Sequence, residues 1–295
     1  MAWDRLLPDR PVTRRIHDIE MLLPRRHVLP YLATDNSPYA RNLVDLAAAL
    51  AEGDDELVVL DVGANIGDST LMLRKRVRCR TVCVEGDPQW LSYLEANVGG
   101  LPDVAIEPSL LSPSPAAGYA SIVHESAGSS RLVPADEDSG TAMLPADELI
   151  SRHPELERVR LVKSDTDGFD VALVPAFARL FERSRPVIFF EFDAVPTRLA
   201  MPDLEPTSVF YELASLGYEH AAVWTNGGRV LGLSPVSQLA ERSIVLDGDV
   251  DTRGYHFWDV AVAHRDDAEG IRALRAVVRS GVQDLRGAWP AGSAP

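Results

Sequence analysis

Apolar residues in this chain fall into short unbroken runs separated by amphipathic stretches, a spacing that predicts strands alternating with helices. Residues 57–60, Leu-Val-Val-Leu, sit between charge and glycine as a strand buried on both faces does. A helix over 67–76, a strand over 80–85, a helix over 88–97 and a strand near 104–106 follow. Residues 112–143 break the rhythm with Pro, Gly and Ser around a β-prone piece at 119–123, which reads as an insertion near the binding edge. Alternation resumes with a helix over 145–152, a strand over 159–163, a helix over 171–182 and a strand over 187–192. A helix over 205–216, a hairpin of 218–224 with 229–233 turning at Asn226-Gly227-Gly228, and a strand over 258–264 complete the pattern.

That order predicts an α/β fold: a Rossmann-like, doubly wound, mostly parallel sheet with an antiparallel C-terminal hairpin and edge strand. A helix over 37–52, with Ser37 as N-cap and Pro38 in its first turn, precedes the first strand. Residues 1–36 show no sustained period and are expected to wrap the domain as irregular structure and short helices. The last helix, 268–282, places Ile271, Leu274, Val278 and Val282 on one stripe for packing, and the tail beyond it should fray. With no internal repeat and no long linker, one domain is expected over 1–295: a wrapping segment and helix over 1–52, a core over 53–264, and a helix and tail over 265–295.

Composition narrows the chemistry. Twenty-nine Lys and Arg against 44 Asp and Glu give a formal charge of −15, which repels polyphosphate backbones and anionic membranes. No nucleic-acid or membrane partner is expected, and the oligomeric state is left open, a homodimer being one option. Cys79 and Cys83 are too close and too few for a disulfide scaffold or a zinc site, and read as small core residues of a reduced, cytoplasmic protein. No run approaches the roughly 18 apolar residues of a membrane span.

The sharpest motif is Asp61-Val62-Gly63-Ala64-Asn65-Ile66-Gly67-Asp68-Ser69, joining the first strand to the first helix. Glycines there allow positive φ and close approach of a ligand, and open α/β sheets bind ligands beyond the carboxyl ends of their strands. A tight turn that merely folds is the bland alternative. Glu85, at the end of the second strand, changes the balance, because an acidic side chain there can accept both hydrogen bonds of a ribose diol. A nucleoside is implied. Asn65 stands where a dinucleotide motif has its second glycine, which weakens a nicotinamide oxidoreductase, and no Gly-Lys-Ser or Gly-Lys-Thr phosphate loop follows.

Taken with Glu85-Gly86-Asp87-Pro88, Asn97 and Lys163-Ser164-Asp165-Thr166-Asp167-Gly168-Phe169-Asp170, this turn resembles FkbM-type S-adenosylmethionine-dependent methyltransferases. The likeness runs from about Tyr39 to His264 and includes Leu144-Pro145-Ala146-Asp147-Glu148-Leu149 and Glu191. Ser164-Asp165-Thr166-Asp167-Gly168 stands where the family usually has Ile-Asp-Val-Glu-Gly, and Pro145 departs from its usual residue before the Leu-Asp segment. The resemblance implies that Asp61, Gly63, Asn65 and Gly67 line the methionine part of the cofactor, that Glu85 holds the ribose, and that Asp87 and Ser109 lie near the adenine.

Methyl transfer is an in-line displacement in which a protein mainly aligns the acceptor oxygen, and a hydroxyl gains from a base or metal ion. Asp165 and Asp167 follow the fourth strand and Glu191 ends the fifth, so they are the candidate catalytic acids, with Mg²⁺ as a candidate shared ion. The expected acceptor is a small hydroxylated molecule such as a sugar or glycoside. A non-catalytic cofactor-binding module is the alternative. Among other chemistry-bearing residues, His124 and His256 read as structural, and Tyr255, Trp224 and Trp258 as core or sugar platform.

Overall fold

The computed structural model describes residues 9–34, 37–53, 56–114, 118–124, 130–241 and 257–287; Tyr255 and His256 lie outside them. Strands β1 (Pro11–Ile16) and β2 (Ile19–Pro24) form an antiparallel pair, followed by the short helix α1 (Leu29–Leu32) and by α2 (Arg41–Ala51). The alternating core then runs β3 (Leu57–Val62), α3 (Asp68–Arg76), β4 (Cys79–Val84), α4 (Pro88–Val98) and β5 (Val104–Glu107). Next come β6 (Leu110–Ser112), β7 (Tyr119–His124), β8 (Ser130–Ala135), β9 (Thr141–Pro145), α5 (Glu148–Arg152), a 3₁₀ turn at Pro154–Arg158, β10 (Leu161–Ser164), α6 (Asp170–Leu180) and β11 (Val187–Asp193). Helices α7 (Ala194–Ala200) and α8 (Ser208–Ser215), strands β12 (Tyr218–Thr225), β13 (Val230–Pro235) and β14 (Phe257–His264), and a C-terminal helix, Ala268–Gly287, follow.

The eight-stranded sheet has the order β13-β12-β14-β11-β10-β3-β4-β5. β5, β4, β3, β10 and β11 are mutually parallel, while β14, β12 and β13 pair antiparallel, so the α/β class, the parallel centre and the antiparallel C-terminal hairpin all hold. The chain winds outward through β3, β4 and β5, then returns to β10 beside β3. The sheet therefore reverses between β3 and β10, where open α/β sheets place their ligand crevice. β3 shows why its run is unbroken: Val58, Leu60 and Val62 join one core cluster while Leu57 and Val59 join the cluster on the opposite face. The C-terminal helix closes that second face with Leu274 and Val278 beside Leu43, Leu46 and Leu50 of α2.

Several boundaries differ from the sequence expectation. Residues 11–24 are a strand pair rather than irregular structure; His17 and Asp18 turn it with φ of 47° and 60°, values Asp tolerates but that carry no Gly signal. Ser37 does not cap a helix: its Oγ accepts from Tyr39 N, and α2 begins only at Arg41 behind Ala40 at φ 58°. Helix α7 was not expected; Asp193 caps it by accepting from Val195 N at 2.9 Å. The break at 112–143 is a four-stranded sheet of order β6-β9-β7-β8, and Pro145 ends β9 rather than opening a helix. Among the described residues no helix is long and apolar enough to cross a membrane.

Candidate active site

The turn after β3 is dictated by steric closeness. Gly63 has φ +70°, and a Cβ there would lie 1.9 Å from the carbonyl oxygen of Asp165, so the turns after β3 and β10 touch backbone to backbone. Asn65 takes φ 50°, and its N–H donates to Glu85 Oε2 at 2.8 Å. Glu85 Oε1 accepts from Asp87 N at 2.8 Å. Burial pushes the Glu85 carboxyl up to about 7, against the opposing pull of the Asp87 and Asn65 N–H groups. A carboxylate offers about four lone-pair directions, so two remain for a diol.

Asp87 caps α4 through Oδ1, which accepts from Gln89 N at 2.9 Å, while its Oδ2 accepts from Ser130 Oγ and His124 Nε2, both at 2.8 Å. Ser109 Oγ donates to Glu107 Oε1 at 2.6 Å. Gly63, Asn65, Glu85, Asp87 and Ser109 line one narrow cavity of about 70 Å³, with Trp90, Leu110, Ile122 and Leu132 as apolar walls. Asp61 and Gly67 are not on its surface. Asp61 is fully buried, accepting from Thr70 Oγ1 at 2.8 Å, and Gly67 packs under Val98 and Leu94.

Lys163 organises the strand ends although its spacing announced no role. Its buried ammonium donates to Gly63 O at 2.9 Å and lies 3.2 Å from Asp61 Oδ1 and 3.6 Å from Asp165 Oδ2. Burial alone would lower its pKa, but Asp61, Asp165 and Asp68 outweigh that and raise it, so the group stays charged. The available signal was a lysine inside an apolar strand, since Lys is almost never fully buried without a partner. Asp170 is fully buried at the start of α6, bonded by Ser164 Oγ at 2.5 Å and Thr166 N at 3.1 Å, and fixes the loop carrying Asp165 and Asp167.

Asp165 and Asp167 belong to the wall of the narrow cavity and also to a second, wider one of about 400 Å³. Lys163, Glu191 and Asp259 line the wider space, and exposed Val28, Leu32, Val195 and Leu199 surround its mouth. Glu191 on β11 faces Asp259 on β14 as a cross-strand partner. Burial, then Asp165 and Asp167, holds the Glu191 carboxyl well above the usual range. Burial raises Asp259 to about 8 despite a 2.6 Å bond from Asn42 Nδ2. Asp259 and Asn42 were not foreseen: each becomes a site residue only when distant strands and helices meet.

The structure brings Asp165, Asp167 and Glu191 to one cavity, but Mg²⁺ is not supported. Among the described residues no group of three or more His, Cys, Asp or Glu side chains could hold a metal ion. The physical reason is that these acids are turned to other partners: Asp165 towards Lys163, and Asp167 Oδ2 to Ser130 N at 3.1 Å.

The N-terminal pair reaches this site too. Asn97 Oδ1 accepts from Leu22 N, and its Nδ2 donates to Leu22 O and Ile66 O, all at 2.8 Å, which ties β2 to the glycine turn. His27 Nδ1 accepts from Leu29 N, leaving Nε2 as the donor that faces Asn65 Oδ1 at 3.4 Å.

No protein-family profile matches the chain, and no curated protein does. Among solved structures it is similar to a TehB-like SAM-dependent methyltransferase from Corynebacterium glutamicum, at 12% identity over 80% of this chain and 92% of that one, with a TM-score of 0.43. An rRNA methylase from Streptococcus thermophilus aligns at 10% identity over 79% and 99% of the two chains, with a TM-score of 0.43. A precorrin-6y C5,15-methyltransferase from Geobacter metallireducens aligns at 12% identity over 76% and 88%, with a TM-score of 0.40.

Proposed function

We propose that this chain is an S-adenosylmethionine-dependent O-methyltransferase of FkbM type, acting on a hydroxyl of a small molecule such as a sugar, glycoside or saccharide precursor. One observation carries the reading: Glu85 and the glycine turn share a narrow cavity with apolar walls, and Asp165 and Asp167 form a common wall between it and a wider cavity. A nucleoside cofactor fits the donor set of the first space, and an acceptor fits the second. Glu85 would hold the ribose through its two remaining acceptor sites. Gly63 and Asn65 would border the amino-acid portion, while Trp90 and Leu110 supply apolar surface for a base. Bound S-adenosylmethionine supplies an electrophilic methyl group.

The chain's own residues orient the acceptor and manage its proton. Asp165 stands about half exposed at the common wall and accepts the hydroxyl proton as the oxygen attacks. Lys163 fixes that carboxylate from behind. Glu191 and Asp259 position the acceptor from the floor of the wider cavity, and the −15 chain disfavours a polyanionic acceptor. Methyl transfer to a panel of sugars and glycosides, read as S-adenosylhomocysteine release, tests the reading. Turnover with a neutral hydroxylated acceptor supports it; cofactor binding without turnover on any of them leaves a binding module instead.

A further inference from the structure

The narrow cavity has walls and a roof of different origin. Its walls are the turns after β3, β4 and β10, locked by the contact between Gly63 and the Asp165 carbonyl and by the Lys163 bonds. Its roof is the antiparallel β7–β8 ribbon, which sends Ile122, Ser130 and Leu132 into it. The space of about 70 Å³ between walls and roof is far below the roughly 300–1,000 Å³ of small-molecule sites. A nucleoside needs more room than that, and the roof belongs to the four-stranded sheet rather than to the eight-stranded one whose strand ends carry the walls.

The roof is fastened mainly by polar contacts. Ser130 Oγ accepts from Trp90 Nε1 and donates to Asp87 Oδ2, both at 2.8 Å. Ser130 N donates to Asp167 Oδ2 at 3.1 Å, and His124 Nε2 donates to Asp87 Oδ2 at 2.8 Å. Asp87 and Asp167 are themselves cavity residues, so the fastening occupies polar groups of the site it covers. Among the described residues the ribbon pairs with the small sheet at its base, where Tyr119 and Ala120 meet β9, packs Ile122 and Leu132 on the small cluster of Leu110, Ala120 and Met143, and lies against α7 through β8. The apolar cluster it shares is far smaller than the two that flank the main sheet, so less burial opposes its opening than opposes movement of the central strands.

We propose that the β7–β8 ribbon is a lid on the glycine-turn cavity, latched shut by Ser130 and His124 and lifted from its base to admit the cofactor. That the occupant is a nucleoside cofactor rests on the function proposed above; the latch itself rests on the geometry alone. Amide hydrogen exchange of the full chain, without ligand, is compared between wild type, Ser130→Ala and His124→Ala. The lid predicts exchange about tenfold faster in β7 and β8 of Ser130→Ala, with β3 and β10 unchanged. Where Ser130→Ala loosens the whole fold, His124→Ala decides, because that side chain is 49% exposed and its loss spares the core. Stopped-flow mixing with S-adenosylhomocysteine should then show association and dissociation both faster in the variants. Unchanged exchange in β7 and β8 of both variants overturns the lid, as do ligand rates identical to wild type. If wild type binds no S-adenosylhomocysteine, the cofactor reading falls while the exchange comparison still decides the latch.

Discussion

The two cavities that share Asp165 and Asp167 are built on opposite principles. The polar side of the narrow one is made of backbone, facing the apolar side chains of Trp90, Leu110, Ile122 and Leu132: tight turns, a glycine pressed on a carbonyl, and a Glu85 carboxylate satisfied by main-chain N–H groups. The wider one is made of side chains, with Glu191 opposite Asp259 and exposed aliphatics at its mouth. A backbone-built space is preorganised for one constant ligand, whereas a side-chain-built space changes character with each substitution. Under the proposed function, cofactor recognition and acceptor choice separate along the same wall.

That separation is broken most severely at Lys163, the group serving both sides. Lys163→Met leaves Asp61 buried and uncompensated, an error costing about 3–5 kcal/mol, and a fall in thermal unfolding midpoint measures it. An unchanged midpoint would show that Asp61 does not depend on the ammonium. Asp165→Asn sharpens the contrast without touching the fold: the rate of methyl transfer at saturating cofactor should drop about 10²–10⁴-fold while cofactor affinity stays. A normal rate would remove Asp165 from proton transfer.

Both cavities hold a carboxyl raised by burial, Glu85 to about 7 and Asp259 to about 8, and the one at Asp259 can be removed without touching the cofactor side. Burial pushes the Asp259 carboxyl up to about 8, above its unfolded value, so the folded state binds the extra proton between those two values. Its stabilising share is complete below the unfolded value and is lost as pH rises through about 8. Asp259→Asn should therefore flatten the decline of unfolding free energy across that window, by up to about 1.4 kcal/mol per pH unit. Parallel curves for the two proteins would contradict the burial assigned to this carboxyl. The smallest effect belongs to the mouth: Leu199→Ser, at a side chain 62% exposed, should change stability by no more than about 0.5 kcal/mol while weakening acceptors that carry an apolar group. A large loss of stability would mean that the rim is core.

The same contrast explains what was legible in the sequence. The narrow cavity's turn is local: Gly63, Asn65 and Glu85 announce themselves by spacing because backbone geometry restricts which residues fit there. The parallel centre of the sheet followed from the alternation of apolar runs, since each parallel strand is buried on both faces. The wider cavity joins Asn42 of α2, Glu191 of β11 and Asp259 of β14, three elements whose meeting is tertiary. Asp61 was legible as a motif residue, yet the structure buries it under Lys163 and Thr70. The N-terminal strand pair was hidden because its turn uses His17 and Asp18 at positive φ rather than glycine. The extent of the small sheet was hidden by its Pro, Gly and Ser content.

Everything proposed for the two cavities depends on the Glu85 cavity taking the nucleoside of S-adenosylmethionine. Calorimetric titration of S-adenosylhomocysteine into wild type and Glu85→Ala, with thermal unfolding of each as a folding control, tests it most directly. Wild type is expected to bind and be stabilised by the ligand, and Glu85→Ala to stay folded but lose about 1.5–3 kcal/mol for each charge-assisted bond removed. Absence of binding to wild type, or equal affinity in a folded Glu85→Ala, would contradict it.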